Sequence, residues 1–93
     1  MDVTVRDNPE QQRFELLLDG ELGGFADYRR RDGAVDVVHS EVDPAQRGRG
    51  LGGELARRTL DAFRERGDKV VPSCPFFAKY VADHPEYEAI IAD

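Results

Sequence analysis

Residues 46–53 read QRGRGLGG, with glycines at 48, 50, 52 and 53. They run straight into LGGELARRTLDAFRERG. There Leu51, Leu55, Ala56, Leu60 and Phe63 fall near helical spacing on one face, and Arg57, Arg58, Asp61, Arg64 and Glu65 on the other. A glycine inside a helix costs roughly 1 kcal/mol relative to alanine, so four of them where a helix must begin need a reason. The first amides of a helix lack internal partners, and the macrodipole adds partial positive charge there. Glycines let the backbone take positive φ angles and come close to a ligand. A β-like stretch, a glycine-rich turn and a helix start therefore read as an anion site suited to phosphate. Arg47 and Arg49 would add charge at its rim. On this reading the penalty at Gly52 and Gly53 is accepted for ligand approach. A plain strand-to-helix turn is the alternative.

The segments on either side fix the fold class. VTVR is a first strand candidate, and RFELLLDG (13–20) is a second, closed by the turn pair Asp19-Gly20. ELGGFADYRRRDG (21–33) is a third, closed by Asp32-Gly33, and its Gly23-Gly24 predicts a bulge or a close approach. AVDVVHSEV (34–42) is the fourth and most β-like, stopped by Asp43-Pro44. Tight turns between these make an antiparallel meander. After the helix, with its Glu54–Arg58 pair and a stop at Gly67, KVVPSC reads as a fifth strand parallel to the fourth. PFFAKYVADH is a short helix with Pro75 in its first turn, and HPEYEAIIAD restarts at Pro85. The expectation is one α+β domain over residues 1–93.

Net charge is −6, which argues against general nucleic-acid binding. No apolar run approaches the roughly 20 residues of a membrane span. The N-terminal residues lack the basic-then-apolar order of a secretion signal. Cys74, alone, forms no internal disulfide, so a reduced thiol and a cytoplasmic setting are expected. No metal site is assigned.

Two common phosphate motifs do not fit. The P-loop needs a Lys-Ser/Thr pair that is missing. Gly48, Gly50 and Gly53 have dinucleotide-motif spacing, but they follow a meander and no acidic residue closes a second strand downstream. A third pattern does fit. VDPAQRGRGLGGELARRTLDAFRERG resembles the pyrophosphate-binding segment of the GNAT superfamily of N-acetyltransferases, Gln/Arg-x-x-Gly-x-Gly/Ala, with Arg47, Gly50 and Gly52 in those places. VVPSCPFFAKYVADHPEY is similar to the closing segment of a small, single-domain branch in which Val-Pro-x-Cys-Pro and His-Pro-Glu-Tyr recur. The resemblance runs from the second strand to Tyr87.

The resemblance implies a truncated GNAT-like fold: meander, helix, splayed fifth strand and short C-terminal helices. It implies acetyl-CoA as cosubstrate, with the pyrophosphate on Arg47, Gly48, Arg49, Gly50, Leu51, Gly52 and Gly53. The pantetheine arm would lie between the fourth and fifth strands, along the backbones of Glu41 and Val42. One of Phe76 and Phe77 would touch that arm, since adjacent residues cannot share a helix face. The acceptor would be an amine: a protein lysine, an N-terminus or a small amine. Superfamily members usually carry two helices between the first two strands and two further C-terminal strands. This chain has neither, so its acceptor site should be open and shallow.

Strand alternation predicts Val35, Val37, His39 and Glu41 on one face, with His39 and Glu41 about 7 Å apart. Either could take a proton from the amine, and the resemblance favours Glu41, because superfamily members often use a glutamate on this strand. Cys74, at a helix start, could accept the acetyl group with His39 as base and Glu41 orienting it. The alternatives are a structural thiol or a cleft wall. Tyr80 is the candidate proton donor to the CoA thiolate, although His84 stands where typical members have a glycine. The rival to an enzyme is a non-catalytic CoA-binding or protein-interaction module on the same scaffold.

Overall fold

The computed structural model describes residues 1–46 and 48–92. Its strands are β1 (Val3–Asn8), β2 (Arg13–Leu18), β3 (Glu21–Arg31), β4 (Ala34–Val42) and β5 (Lys69–Pro72). The helices are α1 (Leu51–Glu65) and α2 (Pro75–Asp83), with 3-10 turns at Pro44–Gln46 and Pro85–Ile90. The sheet order is β1-β2-β3-β4-β5, antiparallel through β4 and then parallel between β4 and β5. The two-residue turns Asp19-Gly20 and Asp32-Gly33 have positive φ at both positions. That geometry matches the twist of the strands they join. β1 runs two residues beyond VTVR because Asp7 and Asn8 still pair with Phe14 and Arg13.

α1 crosses from β4 to β5 over one sheet face. Its Leu51, Leu55, Ala56, Leu60 and Phe63 are buried against Phe14, Leu16, Ala26, Tyr28, Val35, Val37 and Val70. Phe63 meets Phe14 and Tyr28 edge-on, with ring centres 5.1 and 5.5 Å away, the arrangement aromatic quadrupoles favour. The opposite face of the sheet carries polar side chains at its β1–β2 end. Glu15 lies there, 3% exposed, accepting hydrogen bonds from Arg6, Asn8 and Arg13. No helix among the described residues is long and apolar enough to cross a membrane.

Two bulges re-aim side chains. In β3 the extra residue is Gly23, as the Gly23-Gly24 pair predicted. Gly24 lies so close to β4 that a Cβ there would stand 2.7 Å from the Glu41 carbonyl oxygen. In β4 the extra residue is Val38, because Asp27 pairs with His39 while Tyr28 pairs with Val37. This overturns the predicted alternation. Val35 and Val37 face the core, but past Val38 the phase shifts by one. Ser40 and Val42 then continue the helix-covered face, and His39 and Glu41 turn to the other side.

Candidate acetyl-donor site

β4 pairs with β5 only from Ala34 to Val37. The Cys74 amide then donates to the Val37 carbonyl at 2.8 Å, and the chain leaves as α2. Residues 38–42 of β4 thus continue without β5 beside them. A cleft of about 220 Å³ opens in the gap, lined by Ser40, Glu41, Val42, Gly52, Leu55 and Phe76. Its walls are mostly apolar side chains, so it suits an uncharged chain.

The mouth of α1 stands at one end of this cleft. Gly50 is the N-cap at φ 71°, Gly48 has φ 82°, and no side chain caps the helix. A Cβ at either glycine would meet nothing within 4 Å. The first intrahelical bond runs from the Glu54 amide to the Gly50 carbonyl. The preceding amides, of Leu51, Gly52 and Gly53, have no carbonyl one turn back within the helix. Glu54 is the acidic residue of the first turn, and Arg57 and Arg58 hold its carboxylate at 2.7 and 3.0 Å. The Arg57 hydrogen bond, helped by Arg58, keeps that carboxyl below the usual range against the effect of burial. Arg49 is exposed beside the turn, and the Leu51 side chain is buried. Arg47 lies outside the described residues.

Gly52 and Gly53 also face the second helix. A Cβ on Gly52 would stand 3.1 Å from the Phe76 ring, and one on Gly53 would stand 3.9 Å from the Tyr80 ring. Phe76 and Tyr80 are one helical turn apart. Gly52 therefore lets Phe76 dock on the first turn of α1, while Tyr80 packs beside Gly53 at ordinary contact distance. Phe76 is half-exposed and lines the cleft, whereas Phe77 is fully buried in the core. The expectation for this pair thus resolves to Phe76, and Phe77 is withdrawn as a ligand contact.

Cys74 is 3% exposed, and its Sγ lies 3.2 Å from Ser40 Oγ. Sequence reasoning missed Ser40, because only the Val38 bulge brings it to this face. His39 was expected to serve Cys74, but it points to the other face of the sheet. There its Nε2 lies 2.8 Å from Glu41 Oε2, and its ring is 6.1 Å from that of Phe25. Both members of the pair are exposed. An ionised carboxylate only accepts, so Nε2 carries a proton, and in the neutral imidazole Nδ1 presents a lone pair. Tyr80 stacks on His84, ring centres 3.9 Å apart, and His84 Nδ1 donates to the Tyr80 carbonyl at 2.7 Å. Burial raises the Tyr80 phenol, with Glu86, Asp61 and Glu54 adding to that and Arg57 opposing it. The phenol therefore holds its proton at neutral pH.

A family model described as GCN5-related N-acetyl-transferase matches residues 13–90. Protein NATD1 of Gallus gallus and of Mus musculus are each 41% identical to this chain over 51 residues, covering 55% of this chain and 46% of theirs. Protein NATD1 of Homo sapiens matches at the same identity over 45% of its length. The match thus spans a little under half of these curated relatives. The NMR structure of a GCN5-like protein from Staphylococcus aureus superposes with TM-score 0.73, over 96% of this chain and 87% of that one, at 19% identity. That likeness shows a shared fold. Together with the open helix mouth and the splayed strands, the family match over residues 13–90 places the chain: it belongs to the GCN5-related N-acetyltransferase family.

Proposed function

We propose that this chain transfers an acetyl group from acetyl-CoA to an amine, directly, at an open acceptor site. The observation that carries the reading is the continuity of two features. An uncapped helix mouth with open glycines at 48 and 50 adjoins an apolar cleft where β4 leaves β5. The first suits a diphosphate, and the second suits the uncharged arm that follows it. At about 220 Å³ the cleft has room for such an arm but not for a whole cofactor.

In this reading the amides of Leu51, Gly52 and Gly53 hold the pyrophosphate, with Arg49 at the rim. Val42, Leu55 and Phe76 exclude water from the arm, and the backbone of Glu41 and Val42 orients it. Bound acetyl-CoA supplies the activated acyl group. His39 Nδ1 accepts a proton from the acceptor ammonium, while Glu41 fixes the tautomer by accepting from Nε2–H. The amine nitrogen bonds to the acetyl carbon as the carbon–sulfur bond breaks, and the surplus proton on the new amide nitrogen leaves to water. Tyr80, protonated at neutral pH, gives its proton to the departing thiolate and regains one from water. A covalent route through Cys74 is the weaker reading, because the thiol faces Ser40 and the His39–Glu41 pair lies across the sheet.

The test combines binding and turnover. Titration with CoA should shift the amide resonances of residues 48–53 and those of Ser40 and Val42. Acetyl-CoA with a panel of amines should release CoA and add acetyl to the amine, with no lasting adduct on the protein. An adduct that disappears in Cys74→Ser would instead establish the covalent route. Binding with no release across the panel would leave a non-catalytic CoA-binding module. Unmoved resonances at residues 48–53 would remove the pyrophosphate assignment.

A further inference from the structure

On the sheet face opposite α1, two rows of residues run across the strands. Arg13 pairs with Asp27, which pairs with His39. Glu15 pairs with Phe25, which pairs with Glu41. Residues directly opposite each other in a ladder point to the same face. The buried Glu15 carboxylate binds the Arg13 guanidinium through Nε and Nη2, each at 2.8 Å. That guanidinium lies over the Phe25 ring, 5.3 Å from its centre. The Phe25 ring in turn stands 6.1 Å from the His39 ring, tilted by 57°. We infer that Phe25, backed by Arg13, is a positioning residue whose ring holds the His39 imidazole against Glu41, with Nδ1 left open. This rests on the transferase reading above for its effect on turnover, and adds to it what keeps the base in place.

The imidazole needs such an anchor because its surroundings offer a choice. Glu41 takes its Nε2 proton at 2.8 Å, but Asp27 stands directly opposite His39 in the ladder. Opposed residues have Cβ atoms about 5 Å apart, so Asp27 competes with Glu41 for the ring N–H. The pair with Glu41 does not hold itself. More than half of each side chain is exposed, and an exposed ion pair shifts an equilibrium by a factor of about five at most. Phe25 is the neighbour with a fixed position. Its ring is stacked by a guanidinium that Glu15 pins, and Glu15 is itself held by Arg6 and Asn8. A relay thus runs from a buried carboxylate to an exposed imidazole through one aromatic ring. Leucine at position 25 would keep apolar bulk but lose the π face for the guanidinium and the ring contact for the imidazole.

The imidazole nitrogens report their own state. At about pH 8.5, above the ordinary imidazole value, the His39 nitrogen-15 resonances of the parent should show the Nε2–H tautomer. Phe25→Leu should mix the tautomers and draw the two resonances together. It should also lower kcat about fivefold, the middle of the range for an aromatic contact, and leave KM for acetyl-CoA unchanged. Phe25→Tyr keeps the ring and should match the parent in both readouts. Arg13→Lys keeps the charge but loses the planar fork. Alone it should lower kcat about twofold, as expected for an exposed cation–π contact, and it should add nothing in the Phe25→Leu background, because it acts through that ring. His39 resonances unmoved in Phe25→Leu overturn the inference, as does a Phe25→Tyr variant that falls with the leucine one. A raised KM for acetyl-CoA at unchanged kcat also overturns it, by assigning Phe25 to the donor site. If the resonances move as expected but turnover does not change, or is absent throughout, the positioning contact stands and the role of His39 as base is what fails.

Discussion

Ser40 Oγ and Cys74 Sγ lie 3.2 Å apart, across the gap between the end of β4 and the start of α2. Ser40 lines the donor cleft, while Cys74 is almost wholly buried behind it. Approach to the thiol from the cleft thus runs past Ser40. Alkylation by iodoacetamide is expected to be slow, faster in Ser40→Gly, and suppressed by CoA. At ten times its dissociation constant, CoA should slow labelling about elevenfold by mass action. Intact mass against time measures this, and a rate indifferent to CoA would separate the thiol from the cleft.

Substitutions along the glycine turn should split by position. At Gly50, φ 71° strains any side chain, so Gly50→Ala should lose about 1 kcal/mol although the space is open. At Gly53 a methyl group meets only Tyr80 at ordinary contact distance, so Gly53→Ala should gain about 0.5 kcal/mol from helix propensity. Chemical denaturation of both variants checks the opposite signs. Gly53→Ala should also weaken CoA binding if the amide lies against phosphate, giving a variant that is more stable and binds less well.

Acid stability should depend on Glu15. Burial acts to raise its carboxyl, but the hydrogen bonds from Arg13, Asn8 and Arg6 outweigh burial and hold it below the usual range. A lowered folded-state value means stability that is present above the unfolded value near 4.3 and lost as pH falls through the folded one. Glu15→Gln should cost about 2 kcal/mol at pH 7. The gap from the parent should narrow as pH drops below 4. A gap that stays constant down to pH 3 in thermal melts would remove Glu15 from the acid limb.

At the alkaline end, Tyr28 has the opposite linkage. Burial first, then the 2.7 Å hydrogen bond to Asp7, pushes its phenol up to about 12. The unfolded chain releases that proton near pH 10, so stability is intact below pH 10 and falls as pH rises toward the folded value. Tyr28→Phe should lose about 1 kcal/mol at pH 7, and the difference should close above pH 10. Tyr87, raised by burial and by Asp61, should keep part of the alkaline slope in that variant.

Much of this architecture is legible in the residues. Asp19-Gly20 and Asp32-Gly33 specify two hairpins, the stripe through Leu55 and Phe63 specifies α1, and Pro75 marks the start of α2. Local rules fixed those elements because each is decided within a few residues. The open helix mouth was legible in part, through Gly48 and Gly50. What was not legible depends on long-range register. The Val38 bulge exists because β3 and β4 pair out of step around Asp27, and nothing in VDVVHSEV announces it. That bulge turned His39 away from Cys74 and brought in Ser40. In the same way, the use of Gly52 under Phe76 is a fact about α2, seen only once both helices are placed.

The extra residue at Val38 also fixes how far the chain tolerates change. Removing that single codon would swap the sidedness of everything from 39 to 42. An imidazole and a carboxylate would be thrust into oil, while Ser40 and Val42 would be left facing water. The sidedness of the strand's last residues hinges on one misfit in its ladder, and length at that point is under tighter constraint than identity.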